Sequence, residues 1–153
     1  MKEVRNGNYG MYKGKLYRIG QIYKDSVHLC SINRDDLNNG FICNYTKTQI
    51  EYYGFICIKD VPKSEITEAY EIKTHALYKG MEFGIISLDD EFIRIENECS
   101  NDPNDETNKQ LRSWGFSEYI RDKFSIIFDK YIPANDPEIK IIEERTEIDI
   151  SKL

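Results

Sequence analysis

A chain of 153 residues can bury one core of ordinary size or two small ones of about 70 residues each. With 40% hydrophobic residues, eleven Tyr and seven Phe, its composition excludes an intrinsically disordered chain. A net charge of −6 argues against a nucleic-acid partner, no run approaches the roughly 20 apolar residues of a membrane span, and the opening MKEVRNGNYG lacks the basic and apolar regions of a leader, so a cytoplasmic protein is expected.

The first element is written in YGMYKGKLYRIG, residues 9–20, where Tyr12-Lys13-Gly14 forms a turn into an alternating strand. A charged turn at Lys24-Asp25 and a second alternating strand follow, so Tyr17, Ile19, Val27 and Leu29 share the buried face of a hairpin. After the polar loop NRDDLNNG come Gly40-Phe41, the apolar run FICIKDVP at 55–62 and the segment EITEAYEI. The pattern then starts again 66 positions on: Tyr78-Lys79-Gly80, a strand with Phe83 and Ile85, a turn at Asp89-Asp90, and a strand with Ile93 and Ile95. A longer loop, NECSNDPNDETNKQ, leads to Gly115-Phe116, FSIIFDKYIP at 124–133 and EIKIIEERTEI. The stretch 108–124 has room for a short helix, although Gly115-Phe116 interrupts any apolar stripe through Leu111, Trp114, Ile120 and Phe124.

Short strands at this spacing predict a mainly β chain built as a tandem duplication of small, strongly bent, SH3-like β-barrels, the first over 1–73 and the second over 74–153. A single larger barrel or sheet made of the same hairpins is the alternative.

Chemistry-bearing motifs are absent. There is no G-x-S-x-G, no phosphate-binding glycine loop and no H-E-x-x-H; Cys30, Cys43, Cys57 and Cys99 have no C-x-x-C spacing, and His28 and His75 lie on separate alternating segments. The reading is therefore a protein that is not an enzyme, with no catalytic residues, no metal and no cofactor. Clustered carboxylates leave a small hydrolase as the least favoured class.

Charge is unevenly distributed. Residues 1–73 hold eleven Lys/Arg against nine Asp/Glu, and residues 74–153 hold ten against eighteen. The excess concentrates in Asp89, Asp90 and Glu91, then Glu96, Glu98, Asp102, Asp105 and Glu106, and again in Glu143, Glu144, Glu147 and Asp149. The first two groups are expected to share one acidic rim, which repels phosphate backbones and steers a basic protein toward it. Trp114, between the acidic loop and a glycine, is the candidate aromatic anchor of that surface. An interaction module of another kind would instead use an aromatic groove built from Tyr9, Tyr12, Tyr52 and Tyr53 of the first repeat.

The size, the Lys/Ile/Asn/Asp/Tyr-rich composition, the repeated Tyr-Lys-Gly hairpins and the one-sided acidity together resemble the small acidic immunity proteins that bacteria encode beside contact-dependent and other polymorphic toxins. That resemblance implies a cytoplasmic inhibitor whose partner is the C-terminal domain of a cognate toxin, a basic domain and often a nuclease. Its toxin-binding residues would be Asp89, Asp90, Glu91, Glu96, Glu98, Asp102, Asp105, Glu106 and Trp114.

Overall fold

Both Tyr-Lys-Gly stretches close two-residue hairpins. In this computed structural model, which describes residues 2–153, Lys13 and Gly14 adopt φ of 48° and 79°, and Lys79 and Gly80 adopt 52° and 79°. Two successive left-handed residues make a type I′ turn, whose twist matches that of the strands it joins.

The strands in chain order are β1 (Gly7–Tyr12), β2 (Lys15–Ile22), β3 (Ser26–Ser31), β4 (Cys57–Pro62), β5 (Glu68–Tyr78), β6 (Met81–Leu88), β7 (Phe92–Ser100), β8 (Ser117–Arg121), β9 (Ser125–Pro133) and β10 (Ile139–Ile148). Helix α1 (Lys47–Tyr53) precedes β4, and α2 (Glu106–Ser113) precedes β8. The molecule is thus mainly β. Hydrogen bonding runs β4-β3-β2-β1-β5-β6-β7-β9-β8, with β10 also pairing β5, and the neighbours whose register is resolved are antiparallel. This sheet is open, ending at β4 and β8, so the barrel closure expected from the sequence is absent among the described residues.

The chain divides into two compact units. The first is Asn6–Lys73 with Arg145–Leu153, and the second is Thr74–Glu144 with the described residues before Asn6. Each has its own core. The first buries Tyr12, Tyr17, Ile19, Val27, Leu29, Phe41, Cys57 and Val61. The second buries Tyr78, Phe83, Ile93, Ile95, Leu111, Phe116, Phe128 and Ile132.

Local geometry repeats at the spacing of 66 residues. In β2–β3, Arg18 faces Cys30 and Ile19 faces Leu29, a register shift follows, and Ile22 faces Val27. In β6–β7, Gly84 faces Glu96 and Ile85 faces Ile95, a shift follows, and Leu88 faces Ile93. The same alternation is kept because a slip of one residue would turn every apolar side chain to solvent.

Beyond these hairpins the units differ. In the second, α2 starts at its N-cap Asp105, whose carboxylate accepts from the Thr107 and Asn108 amides, and it ends at Trp114 before the left-handed Gly115. The helix therefore covers only the start of the 108–124 stretch, which continues through a turn at Trp114-Gly115 into the edge strand β8. In the first unit the matching segment makes a single bridge, Ile42 to Ile58, and then leaves the sheet for α1. That helix buries none of its residues, so a capping box between Thr46 and Gln49 is what defines its start.

A buried carboxylate anchors the 3₁₀ turn Arg34–Asn39. Asp36 is 2% exposed and accepts from Tyr17 Oη at 3.0 Å, Ser31 Oγ at 2.5 Å and Asn39 Nδ2 at 3.0 Å, with Lys15 Nζ 3.9 Å away. Its own carbonyl accepts the Phe41 amide, as Leu111 in the second unit accepts that of Phe116. Burial alone would raise the Asp36 pKa, but the Ser31, Asn39 and Tyr17 bonds and the Lys15 charge outweigh it and hold it below the usual carboxylate value. Burial and the bond to Asp36 push Tyr17 up to about 12.

Gly40 ends this turn at φ 85°, and a Cβ there would lie 3.1 Å from Lys59 Nζ. Replacing Gly40 by alanine is expected to lower stability by about 1 to 2 kcal/mol, the cost of a left-handed non-glycine residue, measured as a shift in the denaturant midpoint at constant slope.

Candidate functional site

Alternation along β7 separates two kinds of side chain. Ile93 and Ile95 point into the core, while Phe92, Arg94, Glu96 and Glu98 point outward. Antiparallel pairing sets Phe92 opposite Pro133, Arg94 opposite Tyr131, Glu96 opposite Asp129 and Glu98 opposite Ile127 on β9. Beyond β9, β8 adds Ser117 opposite Asp129 and Ile120 opposite Ile127, with a register shift between Glu118 and Ile120. One outer face of the second unit therefore carries all of these residues.

Arg94 is its centre. The guanidinium donates through Nε to Asp129 at 2.7 Å, and both partners are mostly shielded, with 19% and 13% side-chain exposure. Its carbon also lies 4.5 Å from the Tyr119 ring centroid and 5.2 Å from that of Tyr131. The Asp129 bond raises the Arg94 pKa further, so the cation is permanent. Flat cations held over two rings are pre-organised, and the rings stay displayed: Tyr119 is 48% and Tyr131 57% exposed. Phe92, Ile120 and Phe124 are exposed too, and every residue of β8 is exposed along an edge with no further strand beside it among the described residues.

The acidic residues named from the sequence fall into three groups. Glu96 and Glu98 lie on this face, and Glu91 sits beside Phe92 at its end; none of the three has an ion-pair partner among the described residues. Asp89, Asp102 and Asp105 are turn and helix caps: Asp89 accepts the Glu91 and Phe92 amides, which hold its pKa down, Asp102 accepts that of Asn104, and Asp105 caps α2. Asp90 pairs with Lys2 at 2.7 Å and Glu106 with Lys109 at 3.6 Å, both exposed.

The expected single rim does not form. Asp89–Glu91 and the 102–106 loop stand at opposite ends of β7, whose nine residues span about 26 Å at 3.3 Å per step. Nor is Trp114 a displayed anchor. Its indole is half-buried against the core, edge-on to Tyr78 at 6.1 Å and 83°, with Lys79 Nζ 5.6 Å above it. The aromatic groove named for the first repeat is divided as well: Tyr9 and Tyr12 are buried, and Tyr52 and Tyr53 are exposed on α1.

Sequence reasoning missed Tyr119, Tyr131, Arg94 and Asp129. The signal for three of them was present, because Arg94, Asp129 and Tyr131 occupy the outward steps of strands whose inward steps are apolar.

A family model matches residues 4–151, nearly the whole chain. The chain belongs to the family described as uncharacterised conserved protein UCP033725. No curated protein and no solved structure matches it. Residues 4–151 take in all ten described strands and both helices, so the family match spans the Arg94 face and the Asp36 turn together. No described helix is long and apolar enough to cross a membrane, and no three described His, Cys, Asp or Glu residues are grouped to hold a metal ion.

Proposed function

We propose that the chain is a protein-binding inhibitor of the immunity type, acting in the cytoplasm, whose second unit docks a basic toxin domain on the outer face of β7, β9 and β8. The observation that carries this reading is the pairing of exposed Tyr119, Tyr131, Phe92 and Ile120 with unpaired Glu91, Glu96 and Glu98 on one face. Interfaces of this anatomy have an aromatic centre that supplies affinity and a charged margin that selects the partner and speeds its approach.

Charge supports the choice of a basic occupant. The second unit, counted without Met1, holds ten Lys/Arg against seventeen Asp/Glu, and the first holds eleven against ten. Several acidic groups of the second unit are spent on capping or local pairs, and on the β7–β9–β8 face Glu91, Glu96 and Glu98 serve as its recognition charges. On this reading each unit is an SH3-like repeat, supported by the shared hairpin register and by the 3₁₀ turn Lys63–Glu65 between β4 and β5.

The reading expects a large secreted protein to be encoded beside the gene, and coexpression with the C-terminal domain of that protein tests the function: the chain is expected to restore growth and to co-purify with the domain. Changing Glu91, Glu96 and Glu98 together to Gln is expected to weaken the complex roughly 10- to 100-fold at low salt and flatten its salt dependence. An unchanged affinity and slope would remove the electrostatic mechanism.

A further inference from the structure

Register beside β4 sets two cysteines of the first unit opposite each other. Ile42 and Ile58 exchange both backbone hydrogen bonds, at 2.8 and 2.9 Å, as an isolated antiparallel bridge. That makes them a hydrogen-bonded pair, so the next two residues, Cys43 and Cys57, face each other as a non-hydrogen-bonded pair, the kind whose Cα atoms are about 4.5 Å apart. Alternation turns both inward: Ile42 is 64% exposed, whereas Cys57 is fully buried and Cys43 is half-buried against the same core. Strand β3 continues the row, with Ser31 opposite Cys57 and its carbonyl accepting the Cys57 thiol at 3.5 Å.

The remaining cysteines stand elsewhere. Cys30 is opposite Ile58, in the outward row, and Cys99 lies on β7 of the second unit. All four thiols are free. A disulfide needs Cα atoms roughly 4.4–6.8 Å apart, which a non-hydrogen-bonded antiparallel pair supplies with little backbone movement. A bond between Cys43 and Cys57 would close the segment 44–56, which carries α1 and the exposed rings of Tyr45, Tyr52 and Tyr53. Since α1 buries none of its residues, little else fastens that segment to the core.

We infer that Cys43 and Cys57 are an oxidisable pair, whose disulfide ties down the base of the α1 segment when a low-molecular-weight disulfide such as oxidised glutathione accumulates. Cys43, the more accessible thiol, loses its proton and attacks one glutathione sulfur, forming a mixed disulfide and releasing the other glutathione as a thiolate that takes up the proton. Cys57 then loses its proton and attacks the Cys43 sulfur, and the second glutathione leaves in the same way. The protein gives up two electrons and two protons, and one glutathione disulfide becomes two thiols. Burial pushes the Cys57 thiol up, so the second step is the slower one and quickens as pH rises. In a reducing compartment the pair rests as two thiols, and the bridge reports oxidation. The site is separate from the β7–β9–β8 face and stands or falls independently of it.

The test uses the native full chain equilibrated with glutathione buffers from fully reduced to fully oxidised. Intact mass is expected to show the loss of two hydrogen atoms, and peptide mapping without reductant is expected to join Cys43 to Cys57 while Cys30 and Cys99 stay free. A chain that keeps four thiols, stops at a glutathione adduct or joins any other pair overturns the inference. Amide hydrogen exchange over 44–56 is expected to slow by about tenfold or more in the oxidised chain, and unchanged exchange would overturn the role given to the bridge. Cys57→Ala keeps the core apolar and removes the second thiol, so a lasting glutathione adduct on Cys43 is expected; its absence counts against Cys43 as the entry point. Cys43→Ser changes only a half-buried position and gives a second reading: no loss of hydrogen and exchange at the reduced rate in every buffer, with continued slowing on oxidation counting against the pair.

Discussion

Replacing Asp36 by alanine is expected to lower stability by about 3 to 5 kcal/mol, because it strands two buried hydroxyl donors and releases a third, exposed amide rather than breaking one contact. Tyr17 Oη, Ser31 Oγ and Asn39 Nδ2 all lose their acceptor, and the turn Arg34–Asn39 loses its one buried side chain, keeping the Lys59 bond to the Asn39 carbonyl. The second unit indicates how to repair the loss. At the equivalent places it carries Phe83 and Leu111, both fully or almost fully buried, so the paired change Tyr17→Phe with Asp36→Leu is expected to recover much of the stability lost by Asp36→Ala. Denaturant midpoints of the wild type and these two variants check this. A loss below about 1 kcal/mol in the alanine variant would mean that the network contributes little.

The same cluster gives a pH dependence at both ends. Asp36 has its folded pKa below the ordinary value, so its contribution is present above that value and is lost as acid protonates the folded carboxylate. Tyr17 is the opposite case. With a folded pKa of about 12 against 10.0, its contribution is present below 10.0 and is lost as pH rises toward 12. Stability is therefore expected to fall through that alkaline window in the wild type and to fall less in Tyr17→Phe.

Removing Tyr119 and Tyr131 together is expected to have the largest effect on partner binding, a loss of about 3 to 6 kcal/mol in affinity, or more than a hundredfold. Both rings flank Arg94 and are about half exposed, so alanine leaves the core intact and removes the displayed aromatic area. Unfolding midpoints are expected to move little, since neither ring belongs to the buried cluster. The separation of the two readouts is what identifies a binding face: equal losses of stability and affinity would mark the tyrosines as structural.

Much of the framework can be read in one dimension. Tyr12-Lys13-Gly14 and Tyr78-Lys79-Gly80 announce their turns because a left-handed pair needs a glycine, and Ile19, Val27, Leu29, Ile85, Ile93 and Ile95 fall inward because strand side chains alternate. The concentration of acid in the second half is likewise visible in the sequence. Helix α1 is not anticipated: it buries none of its residues, so no apolar stripe marks it, and its Thr46–Gln49 capping box is recognised only from the structure.

What sequence by itself determined is therefore local: which turns are left-handed, which side chains face inward, and how charge is divided between the halves. The tertiary structure alone decided which charges act together. Asp89 and Asp105 are close in sequence yet separated by the length of β7, while Arg94 and Asp129 are 35 residues apart and bonded. Backbone amides near Asp89, Asp102 and Asp105 consume carboxylates that the sequence presents as free, and the edge of Tyr78 draws in a tryptophan that its polar neighbours suggest is exposed. Periodicity fixes a side chain's direction relative to its own strand; strand order and register, set by packing between distant segments, fix its neighbours.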